Sequence, residues 1–218
     1  MRHILRAEGD RRMIELYTAA TGNGQRPALI LEELGLEYTV RKIDFSKGEQ
    51  RSAEFLRLNP RGQIPVVVDD EGPDGERLVL SQSYAILLHY AMKHDRFIPR
   101  DPGQKALMLQ YLFAVASDAA PTSGVVFALQ NFVPEKVEST ADFFIDRLLA
   151  HLRYLDQRLG QSEYLAGPEI SVADLALFPV FAVRKGLLAE RGGCRHLERW
   201  GATMAARPAI QRAMAAAG

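Results

Sequence analysis

The spacing of hydrophobic positions changes about midway along the chain. In the first half, short runs of β-forming residues separated by turn residues predict strands at 13–17, 38–43, 64–68 and 78–80. A helix is predicted over about 26–34, with Pro27 tolerated in its first turn and Gly35 as its C-cap. The preceding residues 21–24, Thr-Gly-Asn-Gly, are predicted as a turn. Another helix is predicted after Ser81, which can cap it.

The second half carries only helical patterns. Between Val137 and Leu159 an apolar residue recurs every three or four positions, which predicts a helix with one face in a core. Further helices are predicted over 105–119, 171–188 and 195–206, with a short last one after Pro208.

In the first half, by contrast, the first two strands and the helix between them form a βαβ unit, which implies that these two strands are parallel. The order of elements there is that of a thioredoxin-like domain.

These patterns predict an α/β domain followed by an all-α, helical-bundle domain. Residues 1–12 are an N-terminal extension, and residues 13–94 are the thioredoxin-like domain. The linker, 95–102, contains prolines at which one domain stops before the other starts, and residues 103–218 are the all-helical domain.

Composition and charge narrow the class of protein. The 218 residues are 47% hydrophobic and carry 27 Lys+Arg against 27 Asp+Glu, which excludes a disordered chain and argues against nucleic acid or an anionic membrane as partner. The one cysteine, Cys194, excludes an intrachain disulfide and a Cys-rich zinc site, and it is expected to be an incidental thiol. The charged N-terminus does not resemble a signal peptide, and no apolar run is long enough to span a membrane. A soluble, cytoplasmic protein is expected.

Two short segments carry candidate chemistry. In Asn59-Pro-Arg-Gly-Gln-Ile-Pro65, a proline opens an otherwise excellent strand. Either the Ile64–Pro65 bond is cis and leaves the Ile64 backbone free to pair with an extended ligand, or Pro65 starts an edge strand in trans. Gln82 and Ser83 lie where the last strand meets its helix, whose N-terminus can bind a carboxylate. The alternative is that the serines only cap the helix.

Together these residues resemble those of the cytosolic glutathione transferases. The resemblance rests on the strand at 13–17, the segment 59–65, Gln82-Ser83, and the capping box that Ser171-Val-Ala-Asp174 forms in the helical half. It implies that Ile64, through a cis Pro65, pairs with the cysteinyl backbone of glutathione, and that Gln82 and Ser83 hold its γ-glutamyl end. It further implies a homodimer, glutathione as co-substrate, no tightly bound cofactor and no metal.

The remaining requirement is a donor that ionises the glutathione thiol. Lowering a thiol pKa from about 8.5 by two units needs about 2.7 kcal/mol, which one or two hydrogen bonds to the thiolate can provide. Thr21 and Asn23, in the Thr-Gly-Asn-Gly run, resemble the sulfur ligands of the bacterial nu class and its fungal Ure2-like relatives, and Gln50 resembles a glutathione-binding glutamine of that group. Tyr17 and Arg26 are further candidates. Tyr17 stands where the alpha, mu and pi classes place a catalytic tyrosine, although a buried strand tyrosine is the preferred interpretation.

Two features differ from the nu class. That class usually has an acidic residue where Gln82 stands, and it tends to have an arginine near the start of the long helix, where Phe143 and Phe144 lie here.

The function that the resemblance predicts is that of a glutathione transferase that acts on a small hydrophobic electrophile, with an acceptor pocket expected around Tyr111 and residues 113–122. A glutathione-dependent disulfide reductase and a non-catalytic, transferase-like binding or regulatory protein remain as alternatives.

Overall fold

The first half of the chain folds around a four-stranded mixed sheet in the order β2-β1-β3-β4. The computed structural model describes residues 13–218, so the predicted N-terminal extension lies outside the described residues. The strands are β1 (Ile14–Thr18), β2 (Thr39–Lys42), β3 (Val66–Asp69) and β4 (Leu78–Ser81). β1 pairs parallel with β2, as the βαβ pattern predicts, and β3 is antiparallel to both β1 and β4. Strand β3 is buried throughout because it is a central strand with an apolar sequence.

Three helices complete this domain: α1 (Gly22–Leu34), α2 (Ala53–Leu58) and α3 (Ser83–Lys93). The prediction of a turn at 21–24 was wrong, because Thr21 caps α1 by accepting the N–H of Gly24 on its hydroxyl oxygen. Gly35 is confirmed as the C-cap of α1, with a left-handed φ of 70°. The prediction for Ser81 was also wrong: it ends β4, and Gln82 is the N-cap residue of α3.

The second half is helical, as predicted. Its helices are α4 (Pro102–Phe113), α5 (Ala120–Asn131), α6 (Glu138–Leu159), α7 (Val172–Arg191), α8 (Arg195–Ala205) and α9 (Pro208–Ala217). The helix predicted over 105–119 was too short. A π-helical stretch, Ala114–Ala119, joins α4 to α5 without a break, and it ends two residues before Pro121, which cannot donate a backbone hydrogen bond.

The sequence expectation that no apolar segment is long enough to span a membrane does not hold by length and composition, because the continuous helix Pro102–Asn131 is long and apolar enough to cross one. A third of its apolar window is buried inside the protein, and its residues Met108, Leu112, Val115 and Val126 belong to the hydrophobic core. Core helices of proteins that cross no membrane pass the same test, so the feature carries little weight.

Helix α7 runs through the core of the helical domain and is fixed at its start by Asp174. The predicted capping box is confirmed: the Ser171 N–H donates to the Asp174 carboxylate, which also accepts from the Leu165 N–H and the Trp200 indole. The same helix packs against α1 of the first domain. The N-terminal end of α1 is therefore held between the sheet and the helical domain.

Candidate functional site

A cavity of about 570 Å³ opens where the N-terminus of α1, the segment before β3, the start of α3 and helix α5 meet. Six of the residues predicted for the site line this cavity: Thr21, Asn23, Ile64, Pro65, Gln82 and Ser83. They come from three separate parts of the first domain. The helical domain closes the cavity with Ala116, Ala120, Pro121 and Gly124.

Thr21 and Asn23 stand at the N-terminus of α1 with their polar groups held by local bonds. The Thr21 hydroxyl oxygen accepts the N–H of Gly24 at 3.1 Å, which leaves its own proton available for donation. The Asn23 amide oxygen accepts Nη1 of Arg26 at 2.7 Å, so its NH₂ group is the end left for a ligand. The helix N-terminus adds a positive potential. The arrangement favours an anion at this point.

Arg26 is almost fully buried, with 1% of its surface exposed. Besides Asn23, its guanidinium donates to the backbone carbonyls of Ala176 and Gly22, and it lies 4.4 Å from the ring centre of Tyr84. Burial lowers the pKa of Arg26, because the charged form loses its hydration. The side chain is thus placed to orient Asn23 and to add positive charge behind it.

The segment before β3 presents backbone to the cavity. The Ile64–Pro65 bond is cis, which confirms the first of the two alternatives that the sequence left open. The buried Asn59 holds this segment: its amide donates to the Gln63 carbonyl at 2.6 Å, and its oxygen accepts the Arg61 N–H. Gly62 has a φ of 61°, and a Cβ there would lie 2.9 Å from the Gln50 carbonyl oxygen, so the close approach requires glycine.

The start of α3 forms the opposite wall of the cavity. Gln82 is exposed and has a φ of 74°, an uncommon conformation for a residue with a side chain, and Ser83 is buried in the first turn of the helix. Such backbone conformations concentrate at ligand-binding sites. Tyr84 follows, and its hydroxyl is buried without a hydrogen-bond partner among the described residues.

Besides Arg26, two further predicted residues, Tyr17 and Gln50, do not line this cavity. Tyr17 is half-buried in β1, with its ring 6.1 Å from that of Phe55, and burial together with Glu15 raises its pKa. A raised pKa fits the preferred interpretation of a packed strand tyrosine. Gln50 lies in a 3₁₀ turn (Glu49–Arg51) behind Gly62, and its amide oxygen is buried without a partner among residues 13–218.

The sequence interpretation missed several residues that line the site. Arg61 and Phe45 are exposed and line the cavity, and Arg61 lies within the segment 59–65 that carries candidate chemistry. A second, more apolar cavity of about 320 Å³ adjoins the first and shares Thr21 and Asn23 with it. Of the expected acceptor segment, Ala116, Ala120 and Pro121 reach one of these cavities, whereas Tyr111 is buried in the core.

The described residues offer neither a metal site nor a reactive thiol of their own. Residues 13–218 contain no cluster of three or more His, Cys, Asp or Glu side chains that could hold a metal ion. Cys194 is a buried free cysteine, and burial raises its pKa to about 11, so the thiol is neutral at physiological pH. Within the described residues, any thiolate chemistry at the cavity therefore needs a thiol supplied by a ligand.

Family comparisons cover both domains. Residues 13–91 match the family model described as the N-terminal domain of glutathione S-transferase, and residues 122–216 match the model of its C-terminal domain. Among curated proteins, the disulfide-bond oxidoreductase YfcG of Escherichia coli is 36% identical over 168 residues, which cover 77% of this chain and 78% of that protein.

Solved structures agree with this result. A glutathione transferase from Pseudomonas putida, with one glutathione disulfide bound per subunit, superposes with a TM-score of 0.86 at 30% identity, covering 95% of this chain and 93% of that one. The glutathione transferase URE2P6 from Phanerochaete chrysosporium, in complex with oxidized glutathione, superposes with a TM-score of 0.85 at 27% identity, covering 95% and 98%.

Proposed function

The chain belongs to the glutathione S-transferase family, and from this membership we propose that it binds glutathione in the larger cavity and ionises its thiol there. The thiolate attacks an electrophile: a bond forms between sulfur and the electrophilic carbon, the leaving group departs with its electron pair, and the thiol proton passes to solvent. The relatives are of the nu and Ure2-like type, which agrees with the resemblance that the sequence carries.

We assign the binding of glutathione to the walls of the cavity. The backbone of Ile64, exposed by the cis bond to Pro65, pairs with the cysteinyl residue. Gln82 and Ser83, at the N-terminus of α3, hold the γ-glutamyl end, where the helix dipole favours its carboxylate. Gln50, which lies next to Gly62, helps to hold the same ligand. Arg61 lines the cavity and can bind the other carboxylate of glutathione, at its glycine end.

The single observation that carries the proposal is the arrangement at the start of α1. The Asn23 amide oxygen accepts a hydrogen bond from Arg26, and the Thr21 hydroxyl oxygen accepts one from the Gly24 N–H. The Asn23 NH₂ group and the Thr21 hydroxyl proton therefore remain free to donate to the sulfur. A hydrogen bond to a charged group contributes about 1.5–3 kcal/mol. Two such bonds are enough to lower the thiol pKa by the two units that make it largely ionised near pH 7. In this mechanism Arg26 is a positioning residue.

Disulfide exchange is a second candidate reaction for the same site. It is favoured by the name of the E. coli relative YfcG, a disulfide-bond oxidoreductase, and by the glutathione disulfide bound to the P. putida structure. Here the thiolate attacks one sulfur of a disulfide and releases the other as a thiolate, and a second glutathione completes the reduction. The non-catalytic alternative is not favoured.

We further propose a cytoplasmic homodimer with an interface between opposite domains of two subunits. Exposed apolar side chains on both domains, Met92 on α3 and Phe113 on α4, support a covered surface. Light scattering in solution should give the mass of a dimer, and the mass of a monomer would contradict this proposal.

The proposed reaction is tested by calorimetry and turnover. We expect glutathione to bind with measurable heat, and the protein to conjugate it to 1-chloro-2,4-dinitrobenzene. Turnover of 2-hydroxyethyl disulfide measures the second candidate reaction, and strong activity on the first substrate alone would exclude that candidate. No detectable binding of glutathione would instead support a non-catalytic protein.

A further inference from the structure

The smaller cavity, of about 320 Å³, combines an apolar wall with buried positive charge. Its apolar lining comes from α5 and α7 and includes Phe127, Pro179, Val180 and Val183. Thr21 and Asn23 also line this cavity, so it adjoins the proposed position of the glutathione sulfur. Because the smaller cavity adjoins this position, a second substrate that reacts with the sulfur can occupy it.

Arg184 is the unexpected residue in this lining. It lies in α7, is 7% exposed, and donates from Nε to the Ser123 hydroxyl at 2.9 Å and from Nη2 to the Ser123 carbonyl. These bonds orient the guanidinium but involve only neutral acceptors, and they leave Nη1 available to a ligand in the cavity. Burial lowers the pKa of Arg184, as expected for a cation without a counter-charge.

Among residues 13–218, no carboxylate compensates the charge in this cavity. The described lining holds two guanidinium groups, those of Arg184 and Arg26, and contains no Asp or Glu. Neither arginine forms an ion pair with any carboxylate of residues 13–218. A buried charge without an opposite charge is unfavourable, and a ligand that supplies one relieves this cost.

We propose that the smaller cavity selects second substrates that carry a carboxylate on an apolar body, with Arg184 binding the carboxylate. The apolar wall takes the body of the substrate, and the charge-assisted hydrogen bond to Arg184 fixes its orientation towards the sulfur. This assignment rests on the proposed function, because it names the class of electrophile or disulfide used by the same site.

The test compares two electrophiles of similar shape, the anionic 4-chloro-3-nitrobenzoate and the neutral 4-chloro-3-nitrobenzamide. With glutathione, a C–S bond forms at the ring carbon that carries chlorine, chloride departs, and the thiol proton passes to solvent. After correction for the uncatalysed rates, we expect kcat/KM to favour the carboxylate. In Arg184→Gln this preference should fall by roughly tenfold or more, the size expected for one lost hydrogen bond to a charged group.

Lys185→Gln is the matched control. It removes the same charge from the neighbouring residue, which is exposed and outside the cavity, and we expect it to keep the wild-type preference. Arg184→Lys should retain part of the preference, because the charge remains while the planar fork is lost. Equal turnover of both electrophiles by the wild-type protein, or equal losses in Arg184→Gln and Lys185→Gln, would overturn the assignment.

Calorimetric binding of the two electrophiles to wild-type protein separates this inference from the proposed function and does not depend on a variant that folds. If neither compound nor 1-chloro-2,4-dinitrobenzene is conjugated although the carboxylate binds more tightly than the amide, the proposed reaction fails and the assignment of Arg184 stands. If both are conjugated without a difference in binding or in rate, the proposed reaction stands and the assignment fails. No binding of the carboxylate overturns the assignment in either case.

Discussion

At the scale of single residues, the site depends on which end of Asn23 faces the cavity. The sequence predicts Thr21 and Asn23 as sulfur ligands through the family resemblance alone. The hydrogen bond from Arg26 to Asn23 could not be predicted, because the sequence predicts that the helix begins at about residue 26 and so leaves Asn23 outside it. With α1 starting at Gly22, Asn23 and Arg26 become i, i+3 neighbours on one helix face, and their contact follows from helix geometry.

Replacing Asn23 by Ala removes one donor to the proposed thiolate. We expect kcat/KM for 1-chloro-2,4-dinitrobenzene to fall about tenfold or more, because a hydrogen bond to a charged group contributes about 1.5–3 kcal/mol. Tyr17→Phe is the matched comparison, and it should change the rate less than about twofold, because Tyr17 lies outside the cavity lining. A large loss in Tyr17→Phe with little loss in Asn23→Ala would assign the catalytic role to Tyr17.

Cys194 provides a prediction with a defined pH dependence. Its pKa of about 11 leaves only about one molecule in a thousand ionised at pH 8, so a thiol reagent should modify the folded protein very slowly. A raised thiol pKa keeps the neutral form dominant below that pKa, and the modification rate should rise as the pH approaches 11. Unfolding in denaturant should expose one fast-reacting thiol. Rapid modification of the folded protein at pH 8 would show that Cys194 is accessible and ionised.

At the scale of elements, periodicity predicted the strands and most helices, whereas helix starts and the α4–α5 junction required other information. The 22-residue helix α6 was predicted to within one residue because its apolar face is long and regular. Helix α5 was missed because Pro121 and Gly124 read as helix breakers, while the π-helical stretch before them accommodates the proline. Without α5, neither Ser123 nor the cavity wall could be predicted.

Asp174 fixes the start of α7, and its removal should destabilise the helical domain. Its carboxylate accepts bonds from the Leu165 and Ser171 backbone and from the Trp200 indole, all of them buried. We expect Asp174→Ala to lower the free energy of unfolding by about 3 kcal/mol or more, because each buried donor left unpaired costs about 1–3 kcal/mol. Denaturant unfolding followed by Trp200 fluorescence measures the loss. Asp118→Ala, at an exposed position, is the control, and an equal effect of both variants would contradict this role.

At the scale of the whole molecule, the two domains are held together by contacts far apart in the sequence. Helix α1 packs against α9 near the C-terminus, where Arg207 forms two hydrogen bonds, of 2.6 and 2.7 Å, with the Glu33 carboxylate. Such pairs are not predictable from one sequence, because nothing local indicates which of the many arginines meets Glu33. The cavities lie between the same two domains, so their shape depends on this packing.

Two arginine variants compare a buried with an exposed ion pair across this contact. Arg207→Ala leaves the Glu33 carboxylate, 4% exposed, without its partner, and should cost about 3–5 kcal/mol in the free energy of unfolding. Arg212→Ala breaks the bond to Glu32, and because Arg212 is 58% exposed the loss should stay below about 1 kcal/mol. Equilibrium unfolding measures both, and similar losses would show that the Glu33 pair does not join the domains.

In the proposed mechanism, Thr21 and Asn23 ionise the thiol of bound glutathione. The most direct test of this mechanism is a pH titration of the ultraviolet absorbance of the thiolate in the complex with glutathione. We expect the thiol pKa in the complex to lie about two units below that of free glutathione, and to rise again by about one unit or more in Asn23→Ala. Glutathione that binds in the cavity but whose thiol titrates like the free thiol would contradict the mechanism.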